Sequence, residues 1–204
     1  GIAWGRGAGK YLAQWIVHGA ADINMRDFDP RRYGDFADRD YQITKAKEDY
    51  LLRHEIPYPG FNRMEGRPVK TSTLYERLKS QGAIFEEIFG WERPRWFAPS
   101  TMEQVDTHSF QRPTNFSAVA AECKAVRERV GIMDLSGFGK IDVHGPDAET
   151  FLNRMIANRA PKTEGGIVLT HILNELGRIE AEITVARIAN NHFYLMFAAF
   201  SELR

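Results

Sequence analysis

The apolar positions along this chain change period several times, and each change marks an element. Tyr11, Leu12, Trp15 and Ile16 fall on one stripe of a helix, entered through a glycine-rich turn at Gly5, Gly7 and Gly9 and stopped by Gly19. A polar stretch with Asp27, Asp29, Pro30, Arg31 and Arg32 reads as a loop. Residues 41–54 suit a second helix with Ile43, Ala46, Tyr50 and Leu51 near one face. Pro57, Pro59, Gly60 and Gly66 make 56–67 an irregular connector. A third helix follows over 71–80, with Leu74 and Leu78 inward and Thr71 or Ser72 as cap. The stretch 90–97 (GWERPRWF) is dense in aromatic and arginine side chains, and Pro94 argues against a regular element there. Such clusters form binding surfaces or core, and core is the commoner outcome.

A compositional seam at 98–116, with Pro99 and Pro113, precedes a helix over 117–130 ended by Gly131. Its apolar stripe is Val119, Cys123, Val126 and Val130, which makes Cys123 a small buried residue rather than a nucleophile. Residues 138–143 read as a strand. Pro146 and Asp147 open a helix that buries Phe151, Leu152, Met155 and Ile156. The last fifty residues carry the clearest pattern: a strand over 167–173, a turn at 174–177 (NELG), a strand over 178–187, a turn at Asn190-Asn191 and a strand over 192–198. In the middle strand Ile179, Ala181, Ile183 and Val185 face one way, and Arg178, Glu180, Glu182 and Thr184 the other. This is an antiparallel meander. Another element is expected to begin within 200–204, so both termini are expected to fall inside elements of a larger architecture.

Composition narrows the classes. The 204 residues suffice for one large domain or two small ones with a real core. Lys plus Arg equals Asp plus Glu at 27 each, so no net field favours nucleic acid or a membrane surface. No apolar run approaches the ~20 residues of a membrane span. The single cysteine excludes an internal disulfide framework and fits a reducing compartment. The chain does not begin with methionine and no charged region precedes an apolar one, so no cleavable leader is expected. The six histidines are dispersed, and no metal site is expected.

The opening glycines invite comparison with nucleotide-binding loops. A phosphate loop needs glycine where Trp4 stands and Ser or Thr where Tyr11 follows Lys10, which removes a phosphate-loop nucleotidase from consideration. A dinucleotide fingerprint fits Gly5 and Gly7 but needs a third glycine where Lys10 stands. A capped helix with a flexible entry remains the alternative for this segment read alone.

Taken in order, several segments resemble one family. GIAWGRGAGKYLAQWIVHG is similar to the end of an FAD domain. DPRRYG, GRPVKTSTLYERL and GWERPRWF look like a central connecting domain. VGIMDLSGFGKIDVHGPDAETFLNRMIAN and THILNELGRIEAEITV resemble the opening of a folate-binding domain. Together they resemble the dimethylglycine and sarcosine dehydrogenases. These are FAD-linked N-methyl amine oxidoreductases with a folate domain related to the aminomethyltransferase (T-protein) of the glycine cleavage system. The resemblance implies an α+β fold in three parts: the tail of an FAD-binding domain over 1–20, a small α+β connecting domain over 21–100, and the first part of an aminomethyltransferase-like folate-binding domain over 101–204.

The resemblance also implies a reaction. The flavin oxidises an N-methyl amine to an iminium, and tetrahydrofolate captures the one-carbon unit; without folate, formaldehyde escapes. The family's acidic residue near the pterin corresponds to Glu182, where T-proteins mostly carry aspartate. Such an acid orients the folate nitrogens and trades a proton. Read from alternation alone, Glu182 is a solvent-facing glutamate flanked by Glu180 and Arg178. Leu169, Tyr194 and Met196 correspond to pterin-pocket positions, with Tyr194 and Met196 on one side of their strand; from the residues alone, core packing explains them as well. Ala198 stands where T-proteins tend to offer a polar amide, and Arg6 where the flavin-approaching turn usually has a small residue. Gly5, Gly7 and Gly9 would be a vestigial flavin contact. One turn cannot hold FAD, because most contacts to such a group lie elsewhere. No amine oxidation is therefore expected from this chain alone, and the alternative is a non-catalytic remnant or interaction module. A cytoplasmic site is expected, or the mitochondrial matrix in a eukaryote. A meander ending on its last strand leaves an unpaired edge and an exposed apolar face. That predicts a homo-oligomer or a complementing partner chain.

Overall fold

The structure is a computed structural model that describes residues 2–25 and 28–199. Asp27 and the terminal run 200–204, where a further element was expected to begin, lie outside the described residues. The described residues up to position 34 form one unit and those from Asp35 onward a second.

In the first unit, helix α1 runs Gly5–His18 and ends as the pattern requires. Gly19 takes φ 75°, and its N–H returns to the Trp15 carbonyl at 3.0 Å. The entry differs from expectation: Gly5, Gly7 and Gly9 are helical rather than a turn. Nothing local opposes the helix there, because none of the three is held at positive φ and no proline intervenes. Three glycines cost about 1 kcal/mol each against alanine without forbidding the turn of helix. The expected buried stripe is also absent. Leu12 and Ile16 are exposed, and no described residue of α1 is buried.

The second unit opens with α2 (Arg39–Leu51), capped by the Asp38 carboxylate, which accepts from the Tyr41 N–H at 2.8 Å. Its inward face is polar. Tyr41 donates to Glu87 at 2.8 Å, Lys45 pairs with Glu87 at 3.0 Å, and buried Glu48 accepts from the Met64 and Glu65 N–H groups. The expected apolar face is the outward one, with Ile43, Tyr50 and Leu51 exposed. The connector that follows is irregular as read, and Arg67 ties it to the next element through a bidentate pair with Glu92 at 2.8 and 2.6 Å. That hydrogen bond holds the Arg67 guanidinium above its usual pKa against the opposing effect of burial.

After the short α3 (Tyr75–Ser80), with Leu78 half-buried and Leu74 exposed, come β1 (Ala83–Ile88) and β2 (Trp91–Phe97), an antiparallel hairpin. The Ser72 hydroxyl accepts from the Leu74 N–H at 3.2 Å at the start of α3. A strand over Trp91–Phe97 corrects the expectation that Pro94 would prevent one. Pairing passes from Ile84–Trp96 to Phe85–Pro94, so Arg95 bulges out, and a bulge in a two-stranded ribbon tolerates a missing N–H. Trp96 is buried, and its indole N–H donates to Asp106 at 2.9 Å, so the aromatic stretch does supply core.

Helix α4 (Phe116–Glu128) packs on this hairpin through a different face from the one its apolar stripe suggests. Asn115, Ala118, Glu122 and Ala125 turn inward, and the Glu122 carboxylate accepts the Phe97 N–H at 2.7 Å. Val119, Val126 and Val130 face solvent, and Cys123 is exposed rather than buried. Small Ala118 against Trp96 allows the close approach that a valine stripe would not.

The remaining elements form one layer of sheet with one helix. Strands β3 (Gly139–His144), β4 (Ile167–Leu173), β5 (Ile179–Ala189) and β6 (His192–Phe197) lie in the order β3-β6-β5-β4, all antiparallel. Helix α5 (Ala148–Met155) covers one face. The core there joins Ala148, Leu152, Ile156 and Ala160 to Ile183, Val185, Phe193, Leu195 and Phe197. Phe151 and Met155, expected inside, are exposed. The meander is as read, but β6 is not an edge, since it pairs with β3 on one side and β5 on the other. The outer side of β4 is partly covered too: Ile156 bridges Ile172, and the Ala157 N–H donates to the His171 carbonyl at 2.9 Å.

Candidate functional site

The face of the sheet opposite α5 collects the residues that the sequence singled out. Because side chains alternate along a strand, the register decides which ones share that face. Lys140, Met196, Thr184 and Leu169 occupy one rung across β3, β6, β5 and β4. Asp142, Tyr194, Ala186 and Ile167 occupy the next. Glu182 lies one step beyond the first rung, directly opposite His171. Leu169, Glu182, Tyr194 and Met196, distant in sequence, therefore come together on one surface. Ala198 follows β6 directly.

That surface is open. Leu169 is 59% exposed and the Glu182 side chain 64%, while Tyr194 and Met196 are half-buried. Two of its carboxylates each face a histidine. Glu182 Oε2 lies 3.4 Å from His171 Nε2, and Asp142 Oδ1 lies 2.5 Å from His192 Nε2. Lys140 turns its ammonium to the carbonyls of Leu135, Ser136 and Phe138, which pins the loop before β3. An apolar, partly aromatic platform with a carboxylate at its margin matches a flat heterocycle bearing N–H donors. A pterin fits the chemistry of this donor set. Enclosure is what the surface lacks, since small-ligand sites bury most of their ligand.

The loop below β3 is built around Asp134. Its carboxylate accepts from the Ser72 hydroxyl at 2.6 Å and the Ser136 N–H at 2.9 Å. Burial pushes this acid up, but the hydrogen bonds from Ser136 and Ser72, helped by the Lys140 charge, outweigh it and hold the pKa below the usual aspartate value.

The glycines expected on the flavin side are helical and open to one side. Gly5, Gly7 and Gly9 lie in the first turns of α1, and a Cβ added at any of them meets nothing within 4 Å. Among the described residues, no group of three or more His, Cys, Asp or Glu is placed to hold a metal ion. No helix among them is long and apolar enough to cross a membrane.

Residues 74–204 match the GCVT N-terminal domain family, and residues 18–72 match the FAD dependent oxidoreductase central domain. The chain belongs to the GCVT N-terminal domain family. Curated proteins similar to it include dimethylglycine and sarcosine dehydrogenases. It is 37% identical over its whole length to the mitochondrial dimethylglycine dehydrogenase of Mus musculus, of which it covers 23%. It is 29% identical over 94% of its length to the mitochondrial sarcosine dehydrogenase of Homo sapiens, covering 24% of it. A mitochondrial pyruvate dehydrogenase phosphatase regulatory subunit of Mus musculus is 32% identical over 96% of the chain, which covers 23% of that protein. The chain thus spans about a quarter of the length of the curated relatives it matches. Among solved structures, the glycine cleavage system aminomethyltransferase T from Bartonella henselae aligns with 65% of this chain and 32% of its own, at a TM-score of 0.50 and 26% identity.

Sequence reasoning did not single out His171, Asp142 or His192. The signal for His171 lay in the hairpin register, which a bulge resets. Pairing shifts between Ile172–Ala181 and Leu173–Ile179, so Glu180 has no opposite residue. That extra residue brings His171 opposite Glu182, and it leaves Ile179, expected inward, exposed.

Proposed function

We propose that this chain supplies the folate-facing surface of an FAD-dependent N-methyl amine dehydrogenase, where a one-carbon unit passes to tetrahydrofolate. The observation that carries the reading is the convergence of Leu169, Glu182, Tyr194 and Met196 on one sheet face. Tetrahydrofolate supplies the nucleophilic nitrogens that accept the one-carbon unit. Leu169, Tyr194 and Met196 give its ring an apolar platform. Glu182 accepts hydrogen bonds from ring N–H groups and is the group able to hold a proton during transfer. By this reading residues 1–20 are the FAD-domain tail, 21–100 the connecting domain and 101–204 the folate-side domain. FAD serves the longer protein and is not retained by this chain, which is not catalytically competent alone. A mitochondrial matrix location follows in a eukaryote, and the cytoplasm otherwise.

Titration calorimetry with tetrahydrofolate tests the folate assignment. Saturable heat in the micromolar range is expected, and the absence of heat at high micromolar concentration from a folded sample would sink it. A flavin absorption spectrum in the purified protein would overturn the claim that FAD is not retained.

A second reading, a non-catalytic module that packs on another chain, draws on the similarity to a protein named as a regulatory subunit. It predicts no folate heat together with tight association to a partner chain.

A further inference from the structure

We propose that His171 is a positioning residue for the Glu182 carboxylate, an inference that rests on the folate reading of this face. The two are direct cross-strand partners on β4 and β5, with Nε2 and Oε2 3.4 Å apart. A glutamate on an open sheet face has three rotatable bonds and, left alone, wanders among rotamers. His171 is the better anchored of the pair. Its carbonyl accepts the Ala157 N–H, its neighbour Thr170 is buried and accepts the Asn158 N–H at 3.0 Å, and Ile172 packs into the core on the other face. The imidazole itself is 38% exposed against 64% for the glutamate side chain.

The local sequence isolates this pair from its competitor. Glu180, two residues earlier, is the bulge residue, and its carboxylate accepts from the Asn174 amide at 2.9 Å. Asn174 is itself fixed by the turn, accepting the Leu176 and Arg178 N–H groups at 3.0 Å each. One glutamate is thus assigned to the turn and the other to His171. An imidazole 3.4 Å from Oε2 favours the rotamers that keep this oxygen beside it and leaves Oε1 as the acceptor a ligand meets. His171 acts through Glu182 and makes no contact with the ligand in this arrangement.

Two measurements on the chain test this. The first is a double-mutant cycle on tetrahydrofolate affinity with His171→Ala, His171→Gln and Glu182→Gln. His171→Ala is expected to weaken binding about fivefold at unchanged thermal stability. His171→Gln, which retains an N–H donor, restores most of it. His171→Ala adds nothing further in the Glu182→Gln background. Independent, additive losses would overturn the proposal. The second needs no ligand: NMR scalar couplings report the Glu182 χ1 rotamers of the free protein. One dominant rotamer is expected in the wild type and averaging in His171→Ala. Equal averaging in both overturns the proposal even where folate binds. A locked rotamer in a protein that binds no tetrahydrofolate instead removes the folate reading and leaves the pair standing.

Discussion

Arg187 shows how much one side chain can organise without advertising it. It is 3% exposed, donating from Nε to the Pro161 carbonyl and from Nη1 to the Asn190 carbonyl, both at 2.6 Å, and pairing with Glu149. Its guanidinium also lies over the Phe193 ring, 4.5 Å from the centroid. In sequence it was the last residue of a strand pattern. A fork with several fixed donors cannot be copied by an ammonium, so Arg187→Lys should lower unfolding free energy by about 2 kcal/mol in urea denaturation. Asp134 gives a pH prediction. Its folded-state pKa lies below the ordinary value, so its contribution to stability is full above about pH 4 and is lost as pH falls through the depressed folded value. Asp134→Asn should therefore flatten the acid limb of the stability profile below about pH 4, while a limb as steep as wild type's would assign the acid dependence elsewhere.

Turns and helix faces decide most at the scale of elements. The β1–β2 loop holds Phe89 at φ 52° and Gly90 at φ 84°, the two positive angles of a type I′ hairpin turn. Phenylalanine at the first of them is strained, whereas asparagine is favoured there. Phe89→Asn should raise stability by about 1 kcal/mol, readable as a higher urea midpoint at unchanged slope. Helix patterns were a poorer guide. Both α2 and α4 show a regular apolar stripe, and in both the residues turned inward are polar or small: Lys45 and Glu48 in one, Ala118 and Glu122 in the other. Periodicity locates a helix, but it names the buried face only where the apolar stripe meets the main packing partner. At Glu48 and Glu122 that partner is a set of backbone N–H groups, which demands a carboxylate.

For the molecule as a whole, the apolar surface left over is the notable quantity. Val126 is 64% and Val130 86% exposed on the α4 side, away from the sheet face proposed for folate. A partner, whether a second copy or a complementing chain, is the proposed occupant. The argument no longer rests on a bare edge at β6, which is paired on both sides. Light scattering should show concentration-dependent self-association that Val126→Glu reduces several-fold. A clean wild-type monomer at high concentration would count against self-association.

Sequence by itself determined the meander, the turn at 174–177 and the stop at Gly19, while the candidacy of Glu182, Leu169, Tyr194 and Met196 was what the family resemblance implied. The first three rest on local rules: alternation, turn chemistry and a left-handed glycine. Tertiary structure alone decided which strand flanks which, since β3 joins the sheet beside β6 across a long stretch of chain. It also decided which faces of α2 and α4 are buried, and that Gly5, Gly7 and Gly9 are helical. Above all it set the partner of Glu182. A single unopposed residue at Glu180 exchanges the two faces of the strand beyond it, and that depends on how the pleat closes against its neighbour.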